Sequence, residues 1–134
     1  MTASRTRATG KINVTSYDPK PYDETVDPKI VEVHVVEEFT GDLVGIGTAR
    51  FLQVLRGDGS ASFVGVERFV GSLGGRSGSF VLQDAGTVQA GTVCGSWFVV
   101  PGSGTDELVG LRGEGGFEAA LGEHASIVLE YWFD

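Results

Sequence analysis

The stretch that decides the fold runs from Lys29 to Gly71: KIVEVHVVEEF (29–39), TGD (40–42), LVGIGTARFLQVLR (43–56), GDGS (57–60) and ASFVGVERFVG (61–71). In its first segment Val31, Val33, Val35 and Phe39 fall on one side, with Glu32, His34 and Glu38 on the other. A period of two belongs to a half-buried strand, because successive strand side chains point to opposite faces. The links Thr40-Gly41-Asp42 and Gly57-Asp58-Gly59 have the glycine and aspartate chemistry of hairpin turns. Parallel pairing needs about a dozen linking residues or more, so segments joined this tightly must be consecutive antiparallel neighbours.

The pattern continues in both directions. Downstream, Leu73-Gly74-Gly75 leads to Ser77–Ala85, Gln89-Ala90-Gly91 to Thr92–Val100, Pro101-Gly102-Ser103-Gly104 to Leu108–Phe117, and Leu121-Gly122-Glu123 to Ala125–Phe133. Upstream, Ala8–Tyr17 alternates, with Ile12 and Val14 on one side. Asp18–Pro28 holds three of the four prolines. Because proline lacks the ladder donor, this segment reads as a loop lying across a barrel mouth. No segment sustains the helical period. The chain is therefore read as all-β, one domain over residues 1–134, forming a closed eight-strand antiparallel meander barrel of the calycin-like kind. Closure removes both sheet edges. About eight strands leave an interior that side chains fill or that holds one small ligand.

Glycine, at 21 of 134 residues, is about twice its average usage. Gly41-x-Leu43-x-Gly45 and Gly71-x-Leu73-x-Gly75 place a leucine two residues before a glycine just after a turn, and Leu108 stands in the same relation to Gly110. This spacing reads as a corner device for strongly bent strands. Gly113-x-Gly115-Gly116 reads as a β-bulge, since no helix follows to receive a phosphate.

The formal net charge of −8 argues against nucleic acid and against an anionic membrane surface, both of which select clustered Lys and Arg. One cysteine, Cys94, excludes an internal disulfide. The first ten residues lack the apolar core of a secretion signal, so a cytoplasmic location is expected; Asn13-Val14-Thr15 and Arg56-Gly57-Asp58 then read as an idle sequon and a turn. Glu32, His34 and Glu38 share a strand face, but no second ligand-rich strand completes a metal site, and neither metal nor cofactor is expected.

Ser62–Arg68 (SFVGVER), Gly71–Gln83 (GSLGGRSGSFVLQ), Trp97, Pro101–Thr105 (PGSGT) and Leu111–Phe117 (LRGEGGF) together resemble a family of small bacterial proteins of unknown function with an allene-oxide-cyclase-like barrel fold. The resemblance extends from about Ala8 to Phe133. It implies a closed eight-strand meander and no established activity. The distant namesake, allene oxide cyclase, is a cofactor-free isomerase that binds an apolar epoxide in its barrel; its catalytic residues have no positional match in this chain.

Candidate site residues come from polar groups set among inward aromatics. Phe63, Gly65, Glu67 and Phe69 share one side of their strand, so a lumen lined by the two rings also receives Glu67. Desolvation there would raise its pKa and suit it to general acid or base work. Tyr131 shares a face with Ile127, Leu129 and Phe133 and is the candidate hydrogen-bond donor. Gln53 lies between Phe51 and Leu55. With Phe51, Phe63, Trp97 and Phe133 it makes the candidate ligand wall. Of Gln83 and Asp84 only one can point inward, and the sequence leaves the choice open. His124 reads as a structural residue at a rim.

Three functions are compatible with this pattern: a cofactor-free isomerase or cyclase acting on an apolar small molecule, a non-catalytic barrel that carries a hydrophobic metabolite, and a filled barrel used for self-association. The strand Leu43–Arg56 is apolar on both faces, with Val44, Ile46, Leu52 and Val54 opposite Leu43, Phe51 and Leu55. Both faces cannot line a lumen, so a homodimer is expected to cover one of them.

Overall fold

A computed structural model describes residues 4–134, apart from the side chains of Pro21 and Tyr22. Eight strands follow one another around a closed barrel: β1 (Thr6–Asp23), β2 (Lys29–Gly41), β3 (Leu43–Leu55), β4 (Ala61–Leu73), β5 (Arg76–Gln89), β6 (Thr92–Val99), β7 (Leu111–Ala120) and β8 (Ala125–Phe133). Every neighbouring pair is antiparallel, and β1 closes on β8 from Thr6↔Tyr131 to Ile12↔Ala125. The expected closed meander is the observed architecture. Its tightest links carry two residues at positive φ, Gly74 (58°) with Gly75 (84°) and Ala90 (51°) with Gly91 (78°). Turns of that hand match the twist of the strands they join.

Three segments differ from the sequence reading. Asp18–Asp23 is not a loop: β1 runs on through Pro19↔Val33 and Pro21↔Val31, with a bulge between Val14 and Ser16. Proline is tolerated because β1 has lost β8 after Ile12, so its free side needs no ladder donor. The run Gly113–Gly116 carries no bulge, since β7 keeps an unbroken register with β8 from Leu111↔Phe133 to Glu118↔Ser126. Glycine there serves close approach instead, as a Cβ on Gly115 would collide with the Val128 carbonyl.

The third difference closes one end of the barrel. Leu108 belongs to a short 3-10 helix, Asp106–Leu108, not to β7. Where β6 ends, the 100–110 segment takes over its pairing with β5: Thr105 N–H donates to the Ser79 carbonyl (2.9 Å) and Val81 N–H to Ser103 Oγ (3.0 Å). Leu108 is thereby turned inward and fully buried with Leu43, Leu73, Phe80 and Leu111. The opposite end has no such plug. Its inward residues Phe51, Gln53, Leu55, Val88, Val93 and Phe117 are only half-buried, and Tyr17, on the β1 extension, is 56% exposed. The barrel is closed at one end and has an open rim at the other.

Candidate functional site

The core divides into two apolar clusters. One contains Phe39, Phe69, Phe80, Leu82, Trp97 and the Leu108 plug; the other contains Val31, Val33, Val35 and Ala49, with Phe51 and Leu55 against them. At the level between them, the inward positions of three strands carry carboxyls. Glu37 stands between Val35 and Phe39 on β2, Glu67 between Gly65 and Phe69 on β4, and Asp84 between Leu82 and Gly86 on β5. They are 7%, 0% and 3% exposed.

Register brings them toward one another. Gly47 on β3 is paired with Glu37 on one side and Phe69 on the other. A Cβ on Gly47 would collide with Glu67 Oε2, so the Glu67 carboxyl lies across this glycine toward β2. There it meets the carboxyl of Glu37. Asp84 is paired with Gly65 and with Trp97, which fixes it beside the indole. Trp97 is itself anchored, its Nε1–H donating to the Val128 carbonyl at 3.0 Å.

No Lys or Arg neutralises these acids; the ion pairs among the described residues all lie at the surface. Both oxygens of Glu67 and Oδ1 of Asp84 lack a partner of ordinary hydrogen-bond geometry. Ionised carboxylates cannot be held this way, because desolvation penalises the charged form heavily. Burial pushes Glu67 well above the usual carboxylate range, with the contact and charge of Glu37 and the charge of Asp84 adding to it. Asp84 is raised to about 8, by burial first and then by Glu37. Glu37 is also raised by burial, an effect its contact with Glu67 partly offsets. Asp84 therefore keeps its proton at neutral pH, and all three acids are biased toward the protonated form. Among the described residues no three His, Cys, Asp or Glu side chains are grouped as a metal site requires.

On the open side of this acid layer stands a collar of rings. A Cβ on Gly65 would lie 2.5 Å from Phe51 Cδ1, one on Gly86 would lie 2.5 Å from Phe63 Cζ, and one on Gly95 would strike the Phe117 ring. Each ring thus rests on bare backbone. The rings also touch one another: Phe51 and Phe63 are 5.5 Å apart, Phe63 and Phe117 6.1 Å, and Phe117 and Trp97 5.0 Å.

The sequence candidates separate accordingly. Glu67, Phe51, Phe63 and Trp97 meet at the acid layer and collar. Gln53 is at the rim, donating from Nε2 to the Tyr17 hydroxyl at 3.2 Å. Tyr131 and Phe133 are at the plugged end, with Tyr131 Oη beside Gly74 and Phe133 under Arg76, whose guanidinium carbon is 4.4 Å from the ring centroid. About 20 Å of strand separates Leu73, where β4 turns into Gly74, from Glu67 on the same strand, so Tyr131 does not join Glu67. Glu32 and His34 pair with each other on the outer wall, and His124 is exposed.

The sequence reading misses Glu37 and leaves Asp84 undecided. Glu37 is legible as the one acid on the face of Val31, Val33, Val35 and Phe39. Asp84 needs the choice of inward face on β5, which Phe80 and Leu82 decide.

Fold and site define a closed eight-strand antiparallel barrel with a buried acid cluster in its lumen. The chain belongs to the family described as "Protein of unknown function (DUF3224)", whose model matches residues 8–131. It is similar to a solved structure of a protein of unknown function from the same family in Shewanella oneidensis MR-1, with 32% identity, 98% of each chain covered and a TM-score of 0.83. No curated protein matches the chain. No helix among the described residues is long and apolar enough to cross a membrane.

Proposed function

We propose that the protein is a cofactor-free acid–base barrel that binds a small molecule with an apolar body on the open side of its lumen and isomerises or cyclises it. The observation that carries this reading is Glu67, a fully buried carboxyl that no cation neutralises among the described residues and whose charged neighbours are the acids Glu37 and Asp84. Such a group costs the fold stability, and groups of this kind cluster at functional sites. Phe51, Phe63, Phe117 and Trp97 supply the apolar wall, and ligand uptake swings the three phenylalanine rings toward the rim. Glu67, sharing protons with Glu37, gives a proton to one substrate atom and recovers one from a neighbouring carbon. Substrate formula and enzyme protonation are both unchanged over the cycle, so no cofactor is needed. The reading keeps the protein in the cytoplasm.

Native mass spectrometry of protein purified from its own host is expected to reveal a retained small molecule. Glu67→Gln should still bind that molecule while converting it about 10²–10⁴-fold more slowly, the usual contribution of a general acid or base. Equal turnover by the variant would remove the catalytic reading and leave a carrier. A barrel that retains nothing and binds nothing in its lumen would remove both.

A homodimer is favoured by the outer wall. Val44, Ile46, Leu52, Val64, Val66 and Val70 are 45–58% exposed there. The outward positions of β3 and β4 carry Arg50 and Arg68 but no acid, in a chain of net charge −8. Beside them runs a groove of about 850 Å³ whose far side carries Glu114 and Glu130. A two-fold that lays β3–β4 of one copy along the groove of the other covers the apolar face and sets arginines against glutamates. Light scattering at micromolar concentration is expected to give a dimer, and Val70→Asp a monomer with an unchanged fold. A monomeric wild type would contradict the pairing.

A further inference from the structure

The acid layer and the ring collar are two independent features of the same space, and together they specify more than an apolar ligand. Asp84 and Trp97 are paired across β5–β6, and Trp97 stands 5.0 Å from Phe117, which is 6.1 Å from Phe63. Beside Asp84 the inward position is Gly65, and the next toward the open rim are Gly86 and Gly95. None has a side chain, and the rings of Phe51, Phe63 and Phe117 occupy that volume instead, so a ligand enters it by displacing rings rather than by moving backbone. The buried polar side chains facing this space are Asp84, Glu67 and Glu37; no cationic side chain pairs with them among the described residues. Aromatic faces attract cations, and an unpartnered buried carboxyl gains most from a donor that carries positive charge.

We propose that the lumen is an amine site: it takes a ligand with an apolar body and a protonated amino group, Asp84 being the counter-ion and Trp97, Phe63 and Phe117 the cation-binding wall. This rests on the reading of the lumen as a ligand site and adds the chemical class of the ligand. A neutral body alone would leave Asp84 Oδ1 without a partner. An anion would meet three acids. An ammonium group lets Asp84 ionise beside it while Glu37 and Glu67 keep a shared proton, so the acid–base pair and the anchoring acid are different residues. Asp84 gives up its proton to water as the cation arrives; no bond in the ligand is made or broken.

The probes are three molecules of one shape: 2-phenylethylamine, 2-phenylethanol and 3-phenylpropionate. Titrated into the intact protein at pH 7 and followed by amide NMR and calorimetry, the amine is expected to bind at least tenfold more tightly than the alcohol, and the acid to show no binding. Shifts should centre on Phe63, Asp84, Trp97 and Phe117. Calorimetry in two buffers of different ionisation enthalpy should report about one proton released per amine bound. Asp84→Asn should bring the amine and the alcohol within twofold of each other while the alcohol still binds. Equal binding of amine and alcohol to the wild type, or amine binding without proton release, would overturn the amine site and leave the lumen as an apolar pocket. Failure of all three probes to perturb any lumen residue would overturn the ligand-binding reading itself. The comparison of probes on the wild type decides the matter even if the variant does not fold.

Discussion

The ligand-free barrel is expected to be markedly less stable at pH 8.5 than at pH 5, the reverse of the usual behaviour of a protein held together by paired carboxylates. Below the ordinary carboxyl value of 3.8 for Asp84, folded and unfolded chains both carry its proton. Between that value and the folded value of about 8, the folded chain keeps a proton the unfolded chain has lost. Each unit of rising pH then removes about 1.4 kcal/mol for such a group, and the loss levels off above the folded pKa. Glu67 and Glu37 shift in the same direction, both by burial first. For Asp84 alone the loss between pH 5 and pH 8.5 is on the order of 4 kcal/mol, against a total stability of roughly 5–15 kcal/mol for a domain. Thermal denaturation should register it as a Tm lower by about 10 °C or more at pH 8.5. Asp84→Asn should flatten the profile and raise Tm at the alkaline end. A Tm that rises with pH over this range would mean that the acids are paired or solvated.

The second large effect concerns the wall. Gly45 and Gly71 are paired across β3–β4, and Gly71 is paired in turn with Gly78 on β5. A Cβ on Gly45 would collide with the Val70 carbonyl and stand 2.8 Å from Gly71 Cα. Both obstacles are backbone, so no side-chain rotation relieves them. Gly45→Val is expected to cost about 3 kcal/mol or more, seen as loss of the folded population or a steep fall in the denaturant midpoint. Gly47→Ala is the control. Its new methyl group meets the movable ends of Glu67 and Phe39, so it should fold, and it should displace the Glu67 carboxyl. Equal tolerance at both positions would show that the glycine row is not a corner of close strand approach.

These positions mark what the sequence made legible. Alternation through Val31–Phe39 and Ala61–Gly71, with links too short for crossovers, was enough for strand order and closure. Of the leucine–glycine spacings, Gly45 falls within a strand at a point of close backbone approach, while Gly75 and Gly110 fall in the links before β5 and β7. Pro19 and Pro21 misled, because a proline is excluded only from a strand with two partners, and partner number depends on where β8 begins. Leu108 misled because its apolar neighbours suit a strand as well as a plug, and the difference lies in tertiary bonds to Ser79 and Val81. Glu67 could be read as inward from its flanking rings. Tyr131 could not be separated from it, since shared inward orientation carries no information about height along the barrel axis.

Protonated carboxyls beneath an open rim are the centre of the site, and carbon NMR titration of the side-chain carboxyls reads their state. Of the eighteen acids in the chain, those at positions 37, 67 and 84 should titrate above the range of the others, Glu67 well above it, with Asp84 titrating near 8. Titration of all eighteen between about pH 3 and 5, the range of unperturbed carboxyls, would contradict such a site.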